Sequence, residues 1–301
     1  MSISSYVQSG ISSYVLITLS LFVLGQKVPR AAFVARCLAS YGSLILCALY
    51  GVVASIVLRL VGYGRISQWA TARSFKWVMR FTTGVRFEIV EGEEYLSTRP
   101  AVFIGNHQTE LDVLMLVSQR RSLLRNVPFL GWFMALSRTV FIDRANRETA
   151  MKAFDGAADE MRNHRQSVFI FAEGTRSYSD KPTLLPFKKG AFHLAVKAGV
   201  PIVPVVTENY SHILSPKNWR FESGAIKVKD PFRLAPSIDS LKPVLPPIET
   251  KNLTPADVDE LTTSARDSML KTLMDMAQSE TDSETDKTSS RANGVSTGVE
   301  I

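Results

Sequence analysis

The sequence predicts an α/β fold, a mixed sheet flanked by helices, with membrane helices placed before it at the N-terminus. Three observations predict this. Two uncharged apolar runs fill most of the first 58 residues, short strand-like runs alternate with helical ones after Trp69, and the chain turns acidic from Glu249 onward. The expected units are 1–68 as membrane-associated helices, 69–248 as the α/β domain, 249–278 as a C-terminal helix and 279–301 as a disordered acidic tail.

No charged residue occurs from Met1 to Gln26, and Tyr14–Gly25 is apolar enough for a membrane segment. Lys27, Arg30 and Arg36 end this run. A second uncharged run, Cys37–Leu58, is long enough to cross a bilayer as a helix, and Arg59, Arg65, Arg73, Lys76, Arg80 and Arg86 follow it. The first run lacks the positive segment that a secretory signal carries before its apolar core. Basic residues on both sides of the second run favour the cytosol for both flanks, which a kinked or re-entrant segment satisfies, with Gly42 and Gly51 as candidate bends. A buried core helix is the alternative for both runs.

Trp69–Phe81 reads as an amphipathic helix and Val85–Val90 as a strand. Ala101–Gly105 is a short apolar run of the buried-strand type, followed by a helical run at Val113–Val117. Val140–Ile142, Ser167–Ala172 and Ile202–Val206 read as further strands, with a helix over Glu148–Asn163 between the first two. Leu253–Met276 forms a helix that starts near Thr254-Pro255, proline being favoured in a first turn. Beyond Gln278 large apolar residues nearly vanish, which predicts disorder.

The net charge of +7 combines a body of +13, over residues 1–248, with a C-terminal stretch of −6. Such a body calls for an anionic partner: nucleic acid, lipid or a phosphorylated metabolite. Its basic residues are not interleaved with aromatics in a nucleic-acid module, which argues against the first. Cys37 and Cys47 are the only cysteines, so neither a disulfide framework nor a cysteine zinc site is available, and the other histidines show no metal-ligand spacing to His107. Gly-x-Ser-x-Gly, Walker and dinucleotide glycine patterns are absent.

Two segments carry chemistry. In Asn106-His107-Gln108-Thr109-Glu110-Leu111-Asp112, where a strand ends and a helix begins, the spacing lets Asp112 reach the His107 imidazole. A carboxylate so placed fixes the ring tautomer and leaves the other nitrogen as a general base; the plainer reading is a helix cap or a satisfied surface group. Phe171-Ala172-Glu173-Gly174-Thr175-Arg176-Ser177 again follows a strand. Its glycine, hydroxyls, backbone N–H groups and arginine suit an oxyanion or phosphate site, or else an ordinary turn. Arg144 is a ligand contact or a strand-end charge pair, Lys188 and Lys189 fit a solvated face, and Val200–Val205, with two prolines, fits an edge or wall strand.

In this order, NHQTELD, FIDR, FAEGTRS and VPIVPV resemble the four motif blocks of the 1-acylglycerol-3-phosphate acyltransferase family, over about Cys37 to Pro231. The stretches VPFLGWFMALSRTVFIDR and LPFKKGAFHLA are similar to fungal and other eukaryotic members. The resemblance implies the glycerolipid acyltransferase fold, with His107 as general base and Asp112 as its orienting partner. It assigns Arg144, Glu173, Gly174, Thr175 and Arg176 to the glycerol phosphate, and Pro201 and Pro204 to the acyl-donor region. It further implies acyl-CoA as co-substrate without a cofactor or metal, lysophosphatidic acid as acceptor and the lipid bilayer as partner. The expected location is a membrane, the endoplasmic reticulum or lipid droplet, with the catalytic domain toward the cytosol. Arg138 stands where the family commonly has glycine, Ala172 replaces a common proline, and the stretch after Asp112 is shorter than usual. Transfer to another lysophospholipid, or a catalytically impaired membrane-anchored paralogue, are the alternatives.

Overall fold

The computed structural model of the chain describes residues 2–63, 66–91, 95–112, 147–229 and 247–294. Helices α1 (Ile3–Gly25), α2 (Pro29–Leu60) and α3 (Ser67–Thr83) lead into strand β1 (Val85–Glu91). There follow β2 (Val102–Gly105), α4 (Arg147–His164), β3 (Val168–Phe171), α5 (Gly190–Ala198) and β4 (Ile202–Thr207). The short strands β5 (Leu214–Ser215) and β6 (Arg220–Phe221), then β7 (Gly224–Lys229) and helix α6 (Val258–Gly294), end the series. The helix expected at Val113–Val117, the strand expected at Val140–Ile142, Arg138 and Arg144 lie outside the described residues.

Five strands form a mixed sheet in the order β1-β7-β4-β2-β3. β4, β2 and β3 are mutually parallel, β7 runs antiparallel to β4, and β1 is parallel to β7. The strand period of two splits the side chains between two cores. Phe103, Val203, Val205 and Phe169 face the side of α2 and α3; Val102, Ile104, Ile202 and Val206 face α4, α5 and α6. A strand buried on both faces reads as a continuous apolar run, as AVFIG does.

β4 is not an edge strand. It lies third of five with all its residues buried. Pro204 is tolerated there because of where its missing N–H falls: Ile202 turns its backbone to Ile248 and Thr207 turns its own to Asn106, so even-numbered residues face away from β2. On that side the ladder with β7 begins only at Val206, beyond the proline.

α2 runs 32 residues as one helix through Gly42 and Gly51, with no re-entrant break at either. Gly42 instead admits the Tyr14 ring of α1, whose Cε1 would lie 3.2 Å from a Cβ at that position, and the Tyr14 hydroxyl donates to the Leu38 carbonyl at 2.5 Å. One face of α2 is docked on the domain. Arg36 donates to the Phe221 carbonyl, Ser43 meets Thr82 of α3, and Cys47 is buried in the core. The other face and nearly all of α1 leave large apolar side chains exposed, among them Ile11, Leu16, Val23, Leu46, Leu49 and Val53.

The C-terminal helix also extends further than its composition predicts. Thr254 and Asp257 cap a 3-10 turn at Pro255–Asp257, the Thr254 N–H holding the Asp257 carboxyl below its ordinary range, and α6 then continues past Gln278 to Gly294. From Val258 to Asn293 there is neither proline nor glycine, so nothing interrupts a helix whose first half, Val258 to Met276, is packed into the core. Residues 295–301 lie outside the described residues.

Candidate active site

Parallel neighbours finish at the same edge of a sheet, where open α/β proteins bind ligands. Because β2 and β3 pair from Val102↔Val168 to Gly105↔Phe171, the segments after Gly105 and after Phe171 emerge side by side. Gly105 permits this approach. A Cβ there would stand 2.5 Å from Cζ of Phe169, and the next aromatic on the same face, Phe171, stacks on the His107 ring at 4.0 Å.

Asn106 carries the β2 ladder one residue further through its side chain. Its amide donates to the Thr207 carbonyl and accepts from the Thr207 N–H, both at 2.9 Å. The backbone then leaves the sheet at His107. There Nδ1 of the ring lies 2.7 Å from Asp112 Oδ2, and the same oxygen accepts the N–H groups of Gln108 and Thr109 at 2.5 and 3.1 Å. Asp112 Oδ1 accepts the Tyr210 hydroxyl at 2.6 Å. Asp112 and Tyr210 are fully buried, whereas the His107 side chain keeps 15% of its surface accessible. Four donors satisfy the buried carboxylate, which spares it the cost of an unpaired buried charge. With Nδ1–H committed to Asp112, the lone pair available for accepting a proton is on Nε2.

The loop after β3 is laced to this turn. Ser177 N–H donates to the His107 carbonyl at 2.9 Å and Tyr178 N–H to that of Gln108 at 3.1 Å. Arg176 Nη1 lies 3.1 Å from Glu110 Oε1, an oxygen that also accepts the Tyr178 hydroxyl at 2.6 Å. Gly174 adopts φ +72°, a region glycine occupies without strain, and its N–H is spent on the Phe171 carbonyl. The next two N–H groups, of Thr175 and Arg176, meet no backbone carbonyl among the described residues, and both side chains are exposed.

Glu173 does not face an incoming phosphate. It is 2% exposed, and its two oxygens accept the backbone N–H groups of His107 at 2.7 Å and Leu185 at 2.8 Å. Burial pushes its carboxyl upward, against the pull of these two donors. Glu173 therefore sets the position of the histidine. The Leu184-Leu185 segment is itself fixed by Arg266 of α6, which donates to both carbonyls. Glu173→Gln, which turns an amide NH2 toward one of those N–H groups, is expected to cost about 1–3 kcal/mol. Thermal melting of the solubilised protein measures it.

The structure brings His107, Asp112, Glu173, Gly174, Thr175 and Arg176 into one region. Pro201 and Pro204 are not part of it. Pro201 precedes β4 at the opposite end of a strand about 20 Å long, and Pro204 is buried in its middle. Tyr210 is the site residue that sequence reasoning missed: it stands 98 positions from Asp112, and no local pattern marks it. Among the described residues no cluster of potential metal ligands occurs.

A histidine oriented by a buried carboxylate, beside an exposed arginine and open N–H groups at the carboxyl ends of parallel strands, is suited to drawing a proton from an acceptor held next to a developing negative charge, and an acyltransferase family profile matches residues 88–208. Among curated relatives, the 1-acyl-sn-glycerol-3-phosphate acyltransferase of Saccharomyces cerevisiae is 41% identical over 242 residues, 77% of this chain and 75% of that protein. The human 1-acyl-sn-glycerol-3-phosphate acyltransferase beta is 35% identical over 86% of this chain and 90% of its own. The chain belongs to the 1-acyl-sn-glycerol-3-phosphate acyltransferase family. The fold is that of the crystal structure of the 1-acyl-sn-glycerophosphate acyltransferase of Thermotoga maritima, with a TM-score of 0.56 and 21% identity over 88% of this chain and 96% of that one.

Proposed function

We propose that the protein transfers an acyl group from acyl-CoA to the sn-2 hydroxyl of 1-acylglycerol 3-phosphate, giving phosphatidic acid. The observation that carries this is the 2.7 Å contact between His107 Nδ1 and Asp112, which leaves Nε2 as the base. A secondary hydroxyl is a poor nucleophile near neutral pH, so its proton moves to Nε2 as its oxygen attacks the thioester carbonyl. The tetrahedral intermediate collapses with loss of the CoA sulfur, which takes the proton back from the imidazolium; no acyl-enzyme forms. The N–H groups of Thr175 and Arg176 are the donors suited to the oxyanion, and the guanidinium of Arg176, with Arg144, to the phosphate.

The same reading takes the bilayer as a partner. α1 and the outer face of α2 leave apolar side chains exposed, and both helices have the length and hydropathy of membrane segments. α2 is docked along α3 on its other side, which ties the α/β domain to the same helices. We assign the protein to the endoplasmic reticulum or lipid droplet, site toward the cytosol. The test is to express the full chain in membranes and follow labelled oleoyl-CoA with lysophosphatidate. Labelled phosphatidate is the expected product. Faster acylation of lysophosphatidylcholine overturns the acceptor, and no transfer to either overturns the enzyme.

A further inference from the structure

We infer that Tyr210 is a third, positioning member of the His107–Asp112 pair, its hydroxyl holding and partly neutralising Asp112 so that His107 stays a base rather than a fixed imidazolium. This inference rests on His107 being the general base. The phenol has one proton, and its surroundings direct it. Thr109 N–H donates to the phenol oxygen at 3.1 Å, and Thr109 Oγ1 lies 2.9 Å from it while accepting the Leu111 N–H at 3.1 Å. With Thr109 supplying protons to the phenol oxygen, the phenol proton lies toward Asp112 Oδ1, at 2.6 Å.

Tyr210 is 0% exposed, so no water competes for that contact. Burial and the neighbouring Asp112 push its ionisation well above the ordinary tyrosine range, and it is a protonated donor at every working pH. Its ring is held by the core, edge to face with Phe87 of β1, and its N–H faces Gln108 Oε1 at 3.4 Å. Gln108 donates in turn to the carbonyls of Thr207 and Glu208. The segment after β4 is thus fastened to the turn after β2, and Asp112 is gripped from the far side of the site.

The consequence for His107 follows from charge. A carboxylate that receives a strong hydrogen bond on Oδ1 is a weaker acceptor on Oδ2, so it stabilises the imidazolium less. The other groups acting on the ring are Glu173 from the loop after β3 and the Phe171 ring that covers it. At the rim stand Arg176 with Tyr178 and Glu110, and Cys37 of α2 lies within electrostatic reach of Glu110. None of these touches Asp112 Oδ1 among the described residues, and Tyr210→Phe leaves them in place.

The experiment uses full-length protein in membranes, with parent, Tyr210→Phe, Thr109→Val and His107→Ala compared across pH 5.5–9, a range we set at roughly the span in which histidine titrates. Tyr210→Phe is expected to lower kcat about 10-fold and to move the acidic limb of the kcat profile upward by roughly one pH unit, with KM for lysophosphatidate unchanged. Thr109→Val, which removes the hydroxyl donor to the phenol together with the acceptor of the Leu111 N–H, moves the limb the same way by less and serves if the phenylalanine variant does not fold. A Tyr210→Phe enzyme whose limb coincides with the parent's overturns the inference, whatever its kcat. If His107→Ala keeps parental turnover, the reading of the base itself fails; an inactive His107→Ala beside a parent-like Tyr210→Phe rejects Tyr210 alone.

Discussion

Replacing His107 with alanine is expected to lower kcat by about 10²–10⁴-fold, because it removes the acceptor of the hydroxyl proton while leaving the surrounding site in place. Among the described residues the imidazole makes one side-chain hydrogen bond, to Asp112, and one stacking contact, on Phe171. The backbone bonds that hold the turn, to Glu173 and Ser177, do not involve the ring. KM for lysophosphatidate should therefore change little, and thermal melting should stay near that of the parent. Asp112→Asn gives the complementary result. The amide offers an oxygen to either His107 or Tyr210 but not to both, and turns an NH2 toward N–H donors on one side. Its loss of rate should approach that of His107→Ala, with a loss of stability the alanine variant does not show. Steady-state rates on labelled acyl-CoA together with melting curves separate the two effects. A His107→Ala enzyme within a few fold of the parent would remove the histidine from the mechanism.

How far the site is legible in the sequence depends on where its forces come from. The His107–Asp112 pair is local: five positions fold into one turn, so the spacing itself reports the contact. The meeting of that turn with the EGTR segment follows from two parallel strands in register, which short apolar runs announce but do not pair. Glu173 is the instructive case. In the sequence it stands beside Arg176 as a charged member of a phosphate loop; in the fold it points inward and spends both oxygens on backbone N–H groups, a role decided by partners 66 and 12 positions away. Tyr210 has no local signal, since burial and a hydrogen bond across 98 positions define it. Strand β7 shows the opposite failure. Its pattern GAIKVK alternates with Ile226 and Val228 buried, yet it is short and lysine-rich, and its place between β1 and β4 comes from pairing that composition does not reveal.

Arg176→Ala is expected to raise KM for lysophosphatidate by about 10–100-fold, the loss that follows from one or two charge-assisted hydrogen bonds to a phosphate. Nη1 is shared between Glu110, at 3.1 Å, and the Tyr178 hydroxyl, at 3.3 Å, and the Arg176 side chain is 43% exposed. An ion pair so open to water is worth about 1 kcal/mol or less, so a phosphate dianion can take the guanidinium from Glu110 at small cost. Glu110→Gln should accordingly shift KM by less than about fivefold. Arg176→Lys keeps the charge but loses the planar fork, and should fall between parent and alanine. KM for acyl-CoA discriminates the assignment. If Arg176 binds the acceptor phosphate, the alanine variant leaves that constant within a few fold of the parent; a parallel rise in both constants instead assigns the arginine to the phosphates of coenzyme A. Raising the salt concentration should reproduce part of the alanine phenotype in the parent and little further loss in the variant, because a screened charge and a missing one subtract the same attraction.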